Sequence, residues 1–144
     1  MAATGDDRIG IARQFIEAIP FSRAVGMVLD DIGDGVAEIS MAWAEELVGD
    51  PESGVIHGGM VSALMDTCGG AAVMSRLDGP MATATIDLRI DYMRPATPGQ
   101  RIRARAECYH LTRSVAFVRA QAWDEDPDRP VATASGAFTA ERKA

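Results

Sequence analysis

His57, Gly58, Gly59 and Asp66 are the residues of this chain whose types and spacing can do chemistry. His57-Gly58-Gly59 opens an apolar run of about twenty residues with helical period. Glycines at a helix start present bare backbone N–H groups, which lack intrahelical partners and, with the helix dipole, favour negative charge. Such a setting suits the oxyanion formed when a carbonyl is attacked. Asp66 is the only acidic residue between His57 and Arg76, a lone carboxylate on the same element. Two blander readings stand beside these: a tight entry turn for the glycines, and a solvated acid on the polar side of the helix for Asp66.

Helical geometry separates the two features. Nine residues at about 100° and 1.5 Å each turn the chain by about 900° over roughly 13 Å. His57 and Asp66 therefore point to opposite sides and do not meet around one small substrate within one subunit. If both are catalytic, a second copy supplies one of them. Ser62, Ala63, Gly70 and Val73 form a stripe of mostly small residues near Asp66, which lets another backbone approach closely. A symmetric dimer with two composite sites is the expectation.

The elements that must hold these residues are readable from pattern. Ile11, Ala12, Phe15, Ile16 and Ile19 fall at helical spacing, so a helix lies within residues 1–20, closed by Pro20. Gly26–Gly33 and Gly35–Trp43 read as a hairpin turning at Gly33-Asp34-Gly35, and Ala44–Ile56 as a loop. The helix from His57 to Arg76 sets Val61, Leu64, Met65, Cys68, Ala72 and Ser75 on one face, and Gly79-Pro80 ends it. Four strands follow: Thr85–Met93, Gln100–Leu111, Ser114–Asp124 and Val131–Ala140. In the first of them Ile86, Leu88, Ile90 and Tyr92 alternate with Asp87, Arg89 and Asp91. Short turns imply an antiparallel sheet against which the helix buries its apolar face, an α+β fold in one domain over residues 1–144.

Bulk composition narrows the function. A hydrophobic share of 47% against 24% charged residues fits a soluble globular protein. No apolar stretch reaches the roughly 18 residues of a membrane span. The N-terminus lacks the basic and apolar regions of an export signal, so the expected location is the cytoplasm. A net charge of −7 argues against nonspecific nucleic-acid binding. Cys68 and Cys108 read as small core residues, and His57 and His110 are too few and too far apart for a zinc site.

Gly54-Val55-Ile56-His57-Gly58-Gly59-Met60-Val61-Ser62-Ala63-Leu64-Met65-Asp66-Thr67 resembles the signature of hotdog-fold acyl-CoA thioesterases of the phenylacetate-pathway (PaaI) type. Asp91-Tyr92-Met93-Arg94-Pro95-Ala96 extends the likeness, and the element order matches over nearly the whole chain. The resemblance implies a long helix wrapped by a curved antiparallel sheet, in dimers that often pair into tetramers. It implies Asp66 as general base or nucleophile, the Gly58 N–H as the group polarising the thioester carbonyl, with Gly59 beside it, His57 as an orienting residue, and Thr85 near the attacking water. Relatives commonly carry Asn where this chain has Asp50. If Asp50 approaches Asp66 across the dimer, two like charges raise at least one of their pKa values; otherwise Asp50 points to solvent.

A thioester carbonyl is weakly resonance-stabilised and its thiolate leaves readily. One carboxylate and an oxyanion hole therefore suffice, and no metal or redox cofactor is called for. The expected substrate is an aryl- or medium-chain acyl-CoA; Met60, Met65 and Met74 are candidates to line its acyl site, with core packing the first reading of them. Arg101, Arg103 and Arg105, alternating with Ile102, Ala104 and Ala106, together with Arg94 and Arg113, are candidate partners for the CoA phosphates. The rival classes are a hydratase or dehydratase, whose Asp-x-Asn-x-x-His pattern is absent, and a non-catalytic acyl-CoA-binding module. A Ser-His-Asp esterase would need a Gly-x-Ser-x-Gly elbow, which the chain lacks.

Overall fold

The computed structural model describes residues 5–142. Helix α1 (Gly5–Ala18) is followed by a second short helix, α2 (Pro20–Ala24). Pro20 thus does more than close the first helix. Its missing N–H and fixed φ suit the first helical position, and they force Ile19 into an extended conformation (φ −65°, ψ 120°). Ile16 is buried, but Ile11 and Phe15 stand about two-thirds exposed, so the apolar stripe of α1 is only partly used.

Strands β1 (Met27–Gly33) and β2 (Val36–Met41) form the expected hairpin. Its turn is Asp34-Gly35, with Gly35 at φ +77°, a conformation open to glycine at little cost. The stretch expected to be loop contains a 3-10 turn (Glu45–Leu47) and a small two-stranded ribbon, β3 (Val48–Asp50) with β4 (Val55–Ile56). Helix α3 spans Gly58–Met74. Strands β5 (Thr85–Tyr92), β6 (Ile102–Leu111), β7 (Val115–Trp123) and β8 (Ala132–Thr139) complete the fold.

Six strands join in one antiparallel sheet ordered β1-β2-β6-β7-β8-β5. Its inner face is built from small residues: Ala104, Ala106, Ala116, Ala120, Ala122 and Ala134 are all buried. That shallow surface leaves room for α3, which buries Val61, Leu64, Met65, Cys68 and Val73 against it. Gly69 lets the ring of Phe138 press against the helix; a Cβ there would sit 2.8 Å from the ring. The Cys68 thiol donates to the Ala37 carbonyl at 3.2 Å, and burial pushes its pKa up to about 12, so it is a core group. Cys108 is also buried.

The far end of α3 is fastened to the hairpin. The Gly35 N–H donates to Ser75 Oγ (3.0 Å) and the Leu77 N–H to Asp34 Oδ1 (3.0 Å). β5 departs from its expected alternation. A register slip between Thr85 and Asp87 breaks the pairing with β8, and Asp87 accepts the Ala137 N–H. Leu88 and Ile90 are half-buried, whereas Ile86 and Tyr92 are 57% and 54% exposed at this sheet edge. A long helix laid across a six-stranded antiparallel sheet is the arrangement implied by the sequence resemblance. Among the described residues, no helix is long and apolar enough to cross a membrane.

Candidate active site

The start of α3 is pinned from three sides. His57 is the N-cap residue, and its Nδ1 accepts the Gly59 N–H at 2.8 Å. In the neutral ring an accepting Nδ1 leaves the proton on Nε2. The Met60 N–H donates back to the His57 carbonyl at 2.9 Å, which orients the His57–Gly58 peptide. From β5, the Tyr92 hydroxyl donates to the Gly58 carbonyl at 3.0 Å. The Gly58 N–H meets no acceptor among the described residues and lies at an exposed position. Of the two glycine donors expected to face a ligand, Gly58 is available and Gly59 is spent on the His57 cap.

The small ribbon sets this geometry from behind. The His57 N–H donates to the Leu47 carbonyl at 2.9 Å, and Gly49 packs against the His57 backbone. A Cβ on Gly49 would stand 2.7 Å from His57 Cα, so only glycine permits that approach.

Asp66 lies eight residues beyond Gly58, roughly 12 Å along the axis. It is half-buried, off the face that packs on the sheet, and accepts the Thr85 hydroxyl at 2.6 Å. Thr85 is held there because its neighbours grip β8: Thr83 Oγ1 donates to the Thr139 carbonyl, and the Ala84 N–H donates to Thr139 Oγ1. The structure therefore joins Gly58, at the start of α3, to Tyr92 at the end of β5, and Asp66, at the middle of α3, to Thr85 at the start of β5.

Asp50 joins neither pair within the chain. Its carboxylate accepts the Ser53 hydroxyl at 2.5 Å and the Glu52 N–H at 3.2 Å, closing the turn between β3 and β4. Those bonds, the Ser53 hydroxyl foremost, hold its pKa below the usual carboxylate range. The small-residue stripe is also modified. Val73 is fully buried in the core, Gly70 lies under Thr83, and Ser62 turns its hydroxyl back to the Gly59 carbonyl at 3.0 Å.

Arg94 is not available to a phosphate. Its guanidinium forms a fork on Asp124 (2.7 and 2.8 Å) and further donates to the Arg129 and Pro95 carbonyls. Asp124, 2% exposed, also accepts the N–H and hydroxyl of Thr97. Arg94 foremost, then Thr97, holds its carboxyl far below the ordinary range. Arg101 donates to Ser40 Oγ, and Arg105 lies 3.7 Å from Glu38, while Arg103 and Arg113 are exposed. Of the methionines, Met65 is core, Met60 packs half-buried against it, and Met74 is partly exposed.

A recess of about 380 Å³ opens beside Gly58, between β4, α3 and the loop after β5. A second, of about 440 Å³, lies among Arg105, Glu107, Arg119 and Trp123 on the opposite face of the sheet, away from both Gly58 and Asp66.

A capped helix start with an N–H that meets no acceptor among the described residues can polarise a carbonyl oxygen, and a carboxylate further along the same helix can accept a proton. The model of the Thioesterase superfamily matches residues 53–131, more than half of the chain and all of α3. The chain belongs to the Thioesterase superfamily, with the hotdog fold. It is 26% identical over 129 residues to the medium/long-chain acyl-CoA thioesterase YigI of Escherichia coli, covering 81% of this chain and 83% of that protein. Over 94 residues it is 35% identical to a provisionally named esterase of Halobacterium salinarum. That match takes in 63% of this chain and spans 62% of the relative's length, under two thirds of it. Among solved structures, an asparagine-to-aspartate variant of the phenylacetic acid degradation protein PaaI of Thermus thermophilus is 28% identical. It has a TM-score of 0.74, covering 86% of this chain and 99% of that one.

Proposed function

We propose that this protein hydrolyses aryl- or medium- to long-chain acyl-CoA thioesters to the free acid and CoA, as a cytoplasmic enzyme of the PaaI type whose sites form between two subunits. The observation that carries the reading is the placement of the two hydrogen-bonded pairs, Asp66–Thr85 and Gly58–Tyr92, at the two ends of one open strand. β5 is a sheet edge whose exposed Ile86 and Tyr92 have no cover among the described residues. Exposed edges of this kind pair with another strand or must be blunted. If two β5 strands pair antiparallel about their midpoint, Thr85 of one lies opposite Tyr92 of the other. Asp66 and Thr85 of one subunit then come to the Gly58 end of its partner, and the separation along α3 is cancelled by the symmetry. Two such dimers pairing into a tetramer remain compatible with this arrangement.

In the mechanism we favour, the Gly58 N–H donates to the thioester carbonyl oxygen. Thr85 holds one carboxylate oxygen of Asp66, leaving the other to accept a proton from water. The water oxygen bonds to the carbonyl carbon, and the oxyanion is stabilised by Gly58 and the positive end of α3. Collapse breaks the C–S bond, and the CoA thiolate takes the proton back from Asp66. The E. coli relative's name supports the acyl-CoA substrate.

The test is release of free thiol from a panel of acyl-CoA esters. Purified protein releases thiol from decanoyl- or phenylacetyl-CoA, and Asp66→Asn lowers kcat by at least about 10²-fold while the oligomer stays intact. Undiminished turnover by that variant would overturn the assignment of the base. Binding of acyl-CoA without any release would point instead to a binding module.

A further inference from the structure

The recess beside Gly58 has a chemistry of its own. Its walls are Val55 of β4, Val61 of α3, Met93 and Pro95 of the loop after β5, and Val131 ahead of β8. Tyr92 and Arg94 are the polar side chains on this lining, and both are committed: the Tyr92 hydroxyl to the Gly58 carbonyl, the Arg94 guanidinium to Asp124, Arg129 and Pro95. A molecule lying there finds hydrocarbon surface and no free side-chain donor. The pantetheine arm of CoA is a poor occupant, because its two amides would give up water without finding partners. A hydrocarbon chain gives up nothing and gains burial. A volume of about 380 Å³ falls in the range of small-molecule pockets. The recess also adjoins the Gly58 N–H, which meets no acceptor among the described residues.

We infer that this cleft seats the acyl chain of the substrate while Gly58 holds its carbonyl, and that Met93 and Val55, on separate walls, set the chain length accepted. The inference rests on Gly58 as the carbonyl donor. It explains why a methionine stands 56% exposed next to the helix start. Met93 offers a flexible wall that adapts to different chains, whereas a larger, stiffer side chain there closes the cleft.

Non-hydrolysable S-alkyl-CoA thioethers separate this inference from turnover. By calorimetric titration, the wild-type protein binds S-decyl-CoA at least about tenfold more tightly than S-butyl-CoA, since six further methylenes are buried. In Met93→Trp and in Val55→Phe that advantage falls below about twofold, while S-butyl-CoA affinity is kept, which also reports an intact fold. Two variants are used because Met93 adjoins the β5 edge and Val55 does not, and sedimentation of each records the oligomer. Equal binding of the two chain lengths by the wild-type protein overturns the inference. So does a decyl advantage that survives in both variants, or a parallel loss of both thioethers in both, which would assign the cleft to the CoA arm. Chain-length-dependent binding without thiol release from any acyl-CoA would sink the hydrolase reading and leave the cleft assignment standing.

Discussion

At the scale of residues, the proposed chemistry turns on two contacts that differ in how visible they are in the sequence. Asp66 stands out as a lone acid in an apolar helix, and Thr85 is marked only by family resemblance; the 2.6 Å hydrogen bond between them joins two independent readings. We expect Thr85→Val to reduce kcat by about tenfold with KM little changed, because a lost charge-assisted hydrogen bond misorients the base rather than removing it. Steady-state kinetics check the split. Gly58 permits a sharper test, since it is the first residue of α3 and His57 before it has φ −56° and ψ 132°, a conformation compatible with a following proline. Proline is tolerated at that position and has no N–H. Gly58→Pro is expected to preserve the circular dichroism spectrum and lower kcat by about 10²-fold or more, the usual cost of one oxyanion donor. The role of Tyr92 is not legible in the sequence, because its partner is 34 residues away and no local period encodes such a contact. Gly59 escapes for the opposite reason: its acceptor is the side chain of nearby His57, whose rotamer the sequence does not specify.

Among elements, legibility follows length. α3 and the strands β6, β7 and β8 carry enough residues to express a period, and their expected bounds lie within a few residues of those observed. β3 and β4 have three and two residues, too few for any alternation, so in the sequence they read as loop. Yet this ribbon positions His57. We expect Gly49→Ala to destabilise the fold by about 1–3 kcal/mol, as overpacking against backbone does, and to lower activity through displacement of the helix cap. Thermal unfolding and thiol release measure the two effects. Arg94, a candidate phosphate ligand by sequence, is a structural clamp instead. With Asp124 it secures the segment carrying Tyr92 and Met93, whose backbone also reaches the Val131 carbonyl. The depressed carboxyl of Asp124 gives this clamp a pH signature. A folded-state pKa below the unfolded value of about 3.9 stabilises the native state above that value, and the contribution is lost as pH falls from there toward the folded pKa. The Tm of the wild-type protein is expected to drop more steeply below about pH 4 than that of Asp124→Asn. At neutral pH the variant is less stable by about 3 kcal/mol, because Arg94 is left without its counter-charge.

For the whole molecule, the decisive property of the proposed enzyme is its symmetry. The helical rotation between His57 and Asp66 by itself argues for two subunits, but the small-residue stripe on α3 points to a different contact surface from the one left open, which is the β5 edge. No local sequence feature distinguishes an edge strand from an interior one when both alternate, so the order β8-β5 is a property of the fold alone. Mixing two inactive proteins tests the composite site directly. Asp66→Asn and Gly58→Pro subunits, unfolded and refolded together at equal ratio, should recover about a quarter of wild-type activity. Half of the dimers are then mixed, and each holds one intact site of two. A site confined to one subunit recovers nothing.

The two margins of the sheet are not equivalent. Along β1, helix α1 lies against the strand, and the Arg13 guanidinium donates to the outward Leu29 carbonyl at 3.1 Å. A backbone group that would otherwise template a neighbouring strand is thereby occupied. In the proposed dimer joined through β5, this covered margin would stand at either end, and the assembly would close at a finite size. An amphipathic helix that looks like an appendage to the catalytic fold would then work as a terminator, keeping a protein with one adhesive strand from becoming a fibre.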